Sequence, residues 1–89
     1  MLFIATLLSC GHMADNLGLA ELKERARVAG YTKIERLAEG AHAVPLETWN
    51  GISSDVGSGY FHVGVSYTLW GNTVIARKRG EKDIHYVLS

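Results

Sequence analysis

Four histidines, His12, His42, His62 and His85, and one cysteine, Cys10, are the side chains with the most obvious chemistry in this chain. Imidazole and thiolate are the usual ligands of zinc-like ions. Their spacing here is against a metal site. Cys10-x-His12 is not a standard ligand pair, and His42, His62 and His85 fall on separate predicted strands. Only pairing of the strands that carry His62 and His85 would bring two of them together. A histidine beside a carboxylate would suit general acid/base work, and Glu47, Asp55 and Asp83 are the acids nearest the Gly/Ser-rich stretch 50–59. No nucleophile elbow, phosphate-cradling glycine loop or paired-histidine helix accompanies them. Ser53, Ser54 and Ser58 are of the type that forms turns in such a stretch, and Cys10 would need a base that the sequence does not place beside it. A small enzyme or metal-binding protein using histidine and carboxylate residues near the 50–59 loop is therefore the second reading. The first is a binding module without a cofactor.

The residues suited to binding lie on the hairpin spanning 60–79. Phe61, Val63, Val65, Tyr67 and Leu69 alternate onto one face of an extended chain, and Tyr60, His62, Ser66, Thr68 and Trp70 onto the other. Gly71-Asn72 separates this run from the β-rich 73–77, and two such residues favour a tight primed turn. The expected pairs are Trp70 with Thr73, Leu69 with Val74, Thr68 with Ile75, Tyr67 with Ala76 and Ser66 with Arg77. The first face is the cleaner apolar one and has the stronger claim on a covering layer. The second presents Trp70, Ile75 and Tyr60 together, more apolar surface than a face made only for water would carry. Trp, Tyr and Arg dominate binding hot spots. Trp49, Tyr60, His62, Trp70 and Arg77 are accordingly the expected ligand- or partner-binding residues, with packing on a second copy of the chain as the preferred use of the face.

These residues need a scaffold, and the rest of the chain reads as one. Residues 1–8 form an apolar run too short to span a bilayer as a helix, and a strand buried on both faces suits it best. Leu7-Leu8-Ser9-Cys10 resembles the cleavage box of bacterial lipoproteins, which would imply export through an acylated Cys10 in place of the favoured cytoplasmic location. Gly11-His12-Met13 matches a vector-derived remnant, so that residues 1–13 are either native strand, leader or remnant. Asp15 or Asn16 suits the N-cap of a helix that Gly30 stops. Leu19, Leu22, Ala26 and Ala29 recur on it as one narrow apolar stripe, and Tyr31 is placed to fold back on its last turn. A strand over 32–37, a loop around Gly40 and a return strand over 42–49 follow, the last at the rim because Pro45 cannot donate to a ladder. Ile84, Tyr86 and Leu88 alternate along a final strand. The order predicts an α+β, two-layer sandwich, one helix packed on a mostly antiparallel sheet of five to six strands.

The helix, Gly30-Tyr31, strand, tight loop and strand over 19–50 resemble the small PepSY-type domains, a resemblance that implies binding or inhibition of peptidases. The C-terminal half lacks a closing motif of that family, and no functional residue carries over.

Length and charge bound all of this. Eighty-nine residues make a single domain, burying about 60–65% of the surface its unfolded chain exposes. An apolar fraction of 47% with 20% charged residues is that of a folding chain. Nine basic and nine acidic side chains cancel, which removes any broad attraction for nucleic acid or an anionic membrane. Arg77-Lys78-Arg79 reads as a solvated strand end. Little net repulsion opposes self-association, and a homodimer is the expected assembly. A lone cysteine means that no intrachain disulfide supports the fold.

Overall fold

The computed structural model describes residues 13–53 and 64–89. Within them one helix, α1 (Leu19–Val28), packs on an antiparallel sheet of β1 (Met13–Leu17), β2 (Lys33–Arg36), β3 (Val44–Pro45), β4 (Val65–Trp70), β5 (Thr73–Lys78) and β6 (Ile84–Leu88). Across the sheet the strands run in the order β1-β4-β5-β6-β2-β3. This is the two-layer α+β sandwich expected from the element order. The apolar run 1–8 and the remnant reading of residues 11–12 lie outside the described residues.

The β4–β5 hairpin has the register that its loop dictates. Trp70 pairs with Thr73, Leu69 with Val74, Thr68 with Ile75, Tyr67 with Ala76 and Ser66 with Arg77. Gly71 has φ +61° while Asn72 is not among the positive-φ residues, the type II′ pattern whose twist matches that of the strands. Among the described residues the first strand runs from Val65, preceded by a turn at Gly64; the part expected over 60–63 lies outside the described residues. β6 alternates as expected, with Tyr86 and Leu88 buried and His85 exposed.

The N-terminal side of the helix differs from expectation. Asp15 and Asn16 do not cap it: they belong to β1, and Gly18 is the N-cap, with no side-chain cap bond. Pairing overrides the local preference here. Met13 and Ala14 pair with Trp70 and Leu69, and after a bulge Leu17 pairs with Tyr67 and enters the core. The bulge passes through Asn16 at φ +58°, a conformation that asparagine tolerates better than most residues. The C-terminal end follows the sequence closely. Tyr31 N–H donates to Ala26 O at 3.0 Å and Gly30 N–H to Arg27 O at 3.0 Å, the paired bonds of a Schellman cap, with Tyr31 packed against the core. Leu22 and Ala26 are buried on the helix face and Leu19 partly so, whereas Ala29 is exposed as the C-cap.

The strand expected over 42–49 is at the rim, as placed, but only Val44–Pro45 is extended. A 3₁₀ turn, Leu46–Thr48, follows it, and geometry explains why. A ten-residue helix is about 15 Å long and roughly 10 Å across, while six strands about 4.8 Å apart make a sheet roughly 24 Å wide. α1 cannot cover that sheet alone. Residues 46–52 leave the rim and lay Leu46, Trp49 and Ile52 into the core beside the helix. Lys23 ties them there, its ammonium donating to the Glu47 and Trp49 carbonyls at 3.0 and 2.8 Å.

This segment passes Tyr67 so closely that a side chain would not fit at Gly51. Ile52 N–H donates to the Tyr67 hydroxyl at 3.1 Å, Gly51 has φ +73°, and a Cβ there would collide with that hydroxyl. Gly51→Ala is expected to destabilise the fold by about 2–4 kcal/mol, from backbone conformation and overpacking together. Chemical denaturation of the two proteins measures it, and a loss below about 1 kcal/mol would mean that residues 50–52 are not held against Tyr67.

Candidate interaction surface

The two tryptophans have opposite fates. Trp49 is 3% exposed, its ring edge-to-face with Tyr67 at 5.8 Å and with Tyr86 at 5.0 Å. Expected as a surface contact, it is a core residue instead, because the sheet needs more cover than the helix supplies. Trp70 is 59% exposed. Arg77 is exposed on the same side of the sheet, whereas Tyr60 and His62 lie outside the described residues.

α1 and residues 46–52 cover the face that bears Tyr67, Val74, Ala76, Tyr86 and Leu88. The opposite face is built by strand register. Met13, Trp70, Thr73, Val87 and Glu35 stand in one row across β1, β4, β5, β6 and β2. Thr68, Ile75 and His85 form the next row, then Ser66 and Arg77. Met13 is 61% exposed beside Trp70, and Thr73, Ile75 and Val87 are half-buried. The result is an apolar strip in a polar frame.

One corner of the frame is an electrostatic network. Arg77 Nε lies 3.4 Å from Asp83 Oδ2, and its Nη1 lies 3.8 Å from Asp15 Oδ1. Asp15 Oδ1 also accepts from the Thr68 hydroxyl and, at 2.9 Å, from Asn16 N–H. The Thr68 bond first, then the Asn16 bond and the Arg77 charge, hold the Asp15 carboxyl below its ordinary range. Thr68, expected on an open face, is consequently satisfied and 3% exposed. The alternation signal gives no hint of this bond, which depends on β1.

The sheet edges are less available than the face. At β3, Pro45 has no N–H and its carbonyl accepts from Thr48 Oγ1 at 3.1 Å. At β1 the bulge at Asn16 bends the outer edge away from a straight ladder. An open hollow of about 770 Å³ lies between α1 and the start of β2 and β3, with Leu19, Tyr31, Pro45 and Leu46 among its lining. Its charged groups are largely committed, Lys23 to the two carbonyls and Arg27 to Glu24 at 2.6 Å.

His85 stands opposite Ile75 on β5, and β6 pairs with β5 and β2; His62, and with it the expected approach of His62 to His85, lies outside the described residues. Among the described residues, no group of three or more His, Cys, Asp or Glu side chains is placed to hold a metal ion. Among the same residues, no helix is long and apolar enough to cross a membrane. No family model, curated protein or solved structure matches the chain, so the PepSY-type resemblance over 19–50 carries no further argument.

The contrast between the tryptophans is measurable. Trp49→Ala should cost about 3–5 kcal/mol through the cavity it leaves, and Trp70→Ala within about 0.5 kcal/mol of wild type in the isolated monomer. Denaturation followed by circular dichroism separates them, and equal losses would contradict the placement of Trp49.

Proposed function

We propose that this chain is a small interaction module that self-associates through the sheet face centred on Trp70. The observation that carries the reading is the exposed Trp70 standing beside exposed Met13 on the face that α1 leaves open. Burial of apolar area drives such docking at about 25 cal/mol per Å². A large aromatic ring in the middle of the patch is the usual energetic anchor. Charges of both signs frame the strip, with Asp15, Glu35 and Asp83 against Arg77 and Lys33. A surface of that kind can oppose its own copy across a two-fold axis without like-charge conflict. Zero formal net charge removes long-range repulsion between copies. A second copy is the preferred partner, with a protein or small-molecule ligand on the same strip as the other use of the surface.

Size-exclusion chromatography with light scattering on wild type and Trp70→Arg tests the reading. A dimer that the substitution converts to a folded monomer is the expected result. A monomeric wild type at micromolar concentration would refute self-association and turn the strip towards other ligands.

We further propose a cytoplasmic location, with export through an acylated Cys10 as the alternative. An intact-mass spectrum of the native product should then show an unmodified Cys10, and an acylated Cys10 would replace this location with a membrane-tethered one.

A further inference from the structure

β1, an outer strand of the described sheet, is seated by few buried side chains. Of its five residues only Leu17 is buried and Ala14 partly so, while Met13, Asp15 and Asn16 are exposed. The bulge between Ala14 and Leu17 interrupts its ladder with β4, and Asn16 holds a left-handed backbone at φ +58°. Against these liabilities stands one carboxylate oxygen. Asp15 Oδ1 accepts from the Thr68 hydroxyl on β4, accepts from Asn16 N–H at the strained residue itself, and faces the Arg77 guanidinium on β5.

We propose that β1 is a latched edge strand: the ionised Asp15 carboxylate pins residues 13–16 against β4, and its protonation lets them peel away about Leu17. The groups around the latch are few. Among the described residues β4 presents Ser66, Thr68 and Trp70 on this face and no ionisable side chain. β5 presents Arg77, with Asp83 on its far side, and β6 presents His85 beyond Ile75. Arg77 is thus shared by two aspartates, and loss of the Asp15 charge leaves it paired with Asp83. Because the fold holds the Asp15 carboxyl below its ordinary range, the latch is at full strength above about pH 4, the unfolded aspartate value. It weakens as pH falls through the lower folded value. Peeling would uncover the backbone of β4, a six-residue strand without a bulge in its pairing to β5, and an open edge of that kind is a template for another strand.

Amide hydrogen exchange on the full-length chain at pH 7 tests the latch. Asp15→Asn retains the shape and one acceptor oxygen but loses the charge. Thr68→Val keeps the charge and loses the donor. In either variant the β1 amides should exchange roughly three- to ten-fold faster while those of β5 and β6 keep wild-type protection, as expected for local opening. Wild type titrated below the unfolded aspartate value, corrected for intrinsic exchange, should show the same selective loss as Asp15 becomes protonated, and Asp15→Asn should show a smaller change in β1 over that range. Unchanged β1 protection in both variants would overturn the proposal. So would equal acceleration in every strand, which would make Asp15 a contributor to global stability instead of a latch.

Discussion

The structure depends on Trp49 being wedged between Tyr67 and Tyr86. Those tyrosines stand on β4 and β6, with β5 between them, so one indole bridges three strands from above. The edge-to-face geometry brings ring hydrogens against π faces, which adds about 0.5–1.5 kcal/mol per pair to the burial of the rings themselves. The short helix makes this wedge necessary. Lys23 carries its ammonium to the Glu47 and Trp49 carbonyls, which satisfies backbone groups in a segment with no ladder to satisfy them. Gly51 then lets the same segment pass the Tyr67 hydroxyl. Helix, turn and hairpin are thereby fastened at one place.

How much of this the sequence discloses depends on the range of the interactions concerned. The β4–β5 register is legible because two loop residues leave one pairing open and the period of two assigns each side chain to a face. The end of α1 is legible for a similar reason, since Gly30-Tyr31 carries a complete local signal. β1 is hidden because Asp15 and Asn16 have a strong local preference for capping, and only contacts with β4, some fifty residues away in sequence, outweigh it. The burial of Trp49 is hidden as well. It follows from the width of the sheet relative to the length of the helix, and no residue near Trp49 encodes that comparison. Of the expected surface residues, Trp70 and Arg77 are exposed as their alternation implies, while the partners of Arg77 become visible only once β1 and the Asp83 turn are in position.

The two outer strands reveal a division of labour. β3 is shut chemically, by a proline without an N–H and a hydroxyl on its carbonyl. β1 is shut geometrically, by a bulge whose strained residue is supported by a neighbouring carboxylate. Both devices discourage growth of the sheet in its own plane. Neither affects the face, where the apolar strip from Met13 to Val87 runs perpendicular to the strands. In the proposed assembly, edges closed in this way leave the sheet normal as the direction of association.

That direction matters for a chain of this size. An 89-residue domain has little burial to spare, and a solvent-facing tryptophan contributes almost nothing to the stability of the monomer. Trp49 and Trp70 stand only 21 positions apart and share one side chain, yet the first closes the core and the second is withheld from it. What separates them is the face of the sheet to which each is delivered. β4 alternation sends Tyr67 inward to meet Trp49, and three residues later the same alternation sends Trp70 outward. Shifting the hairpin register by one residue would exchange these roles, burying Trp70 and expelling Tyr67 with the hydroxyl that holds Ile52. The tight Gly71-Asn72 turn prevents that slip, and in doing so it specifies the core and the open surface with one constraint.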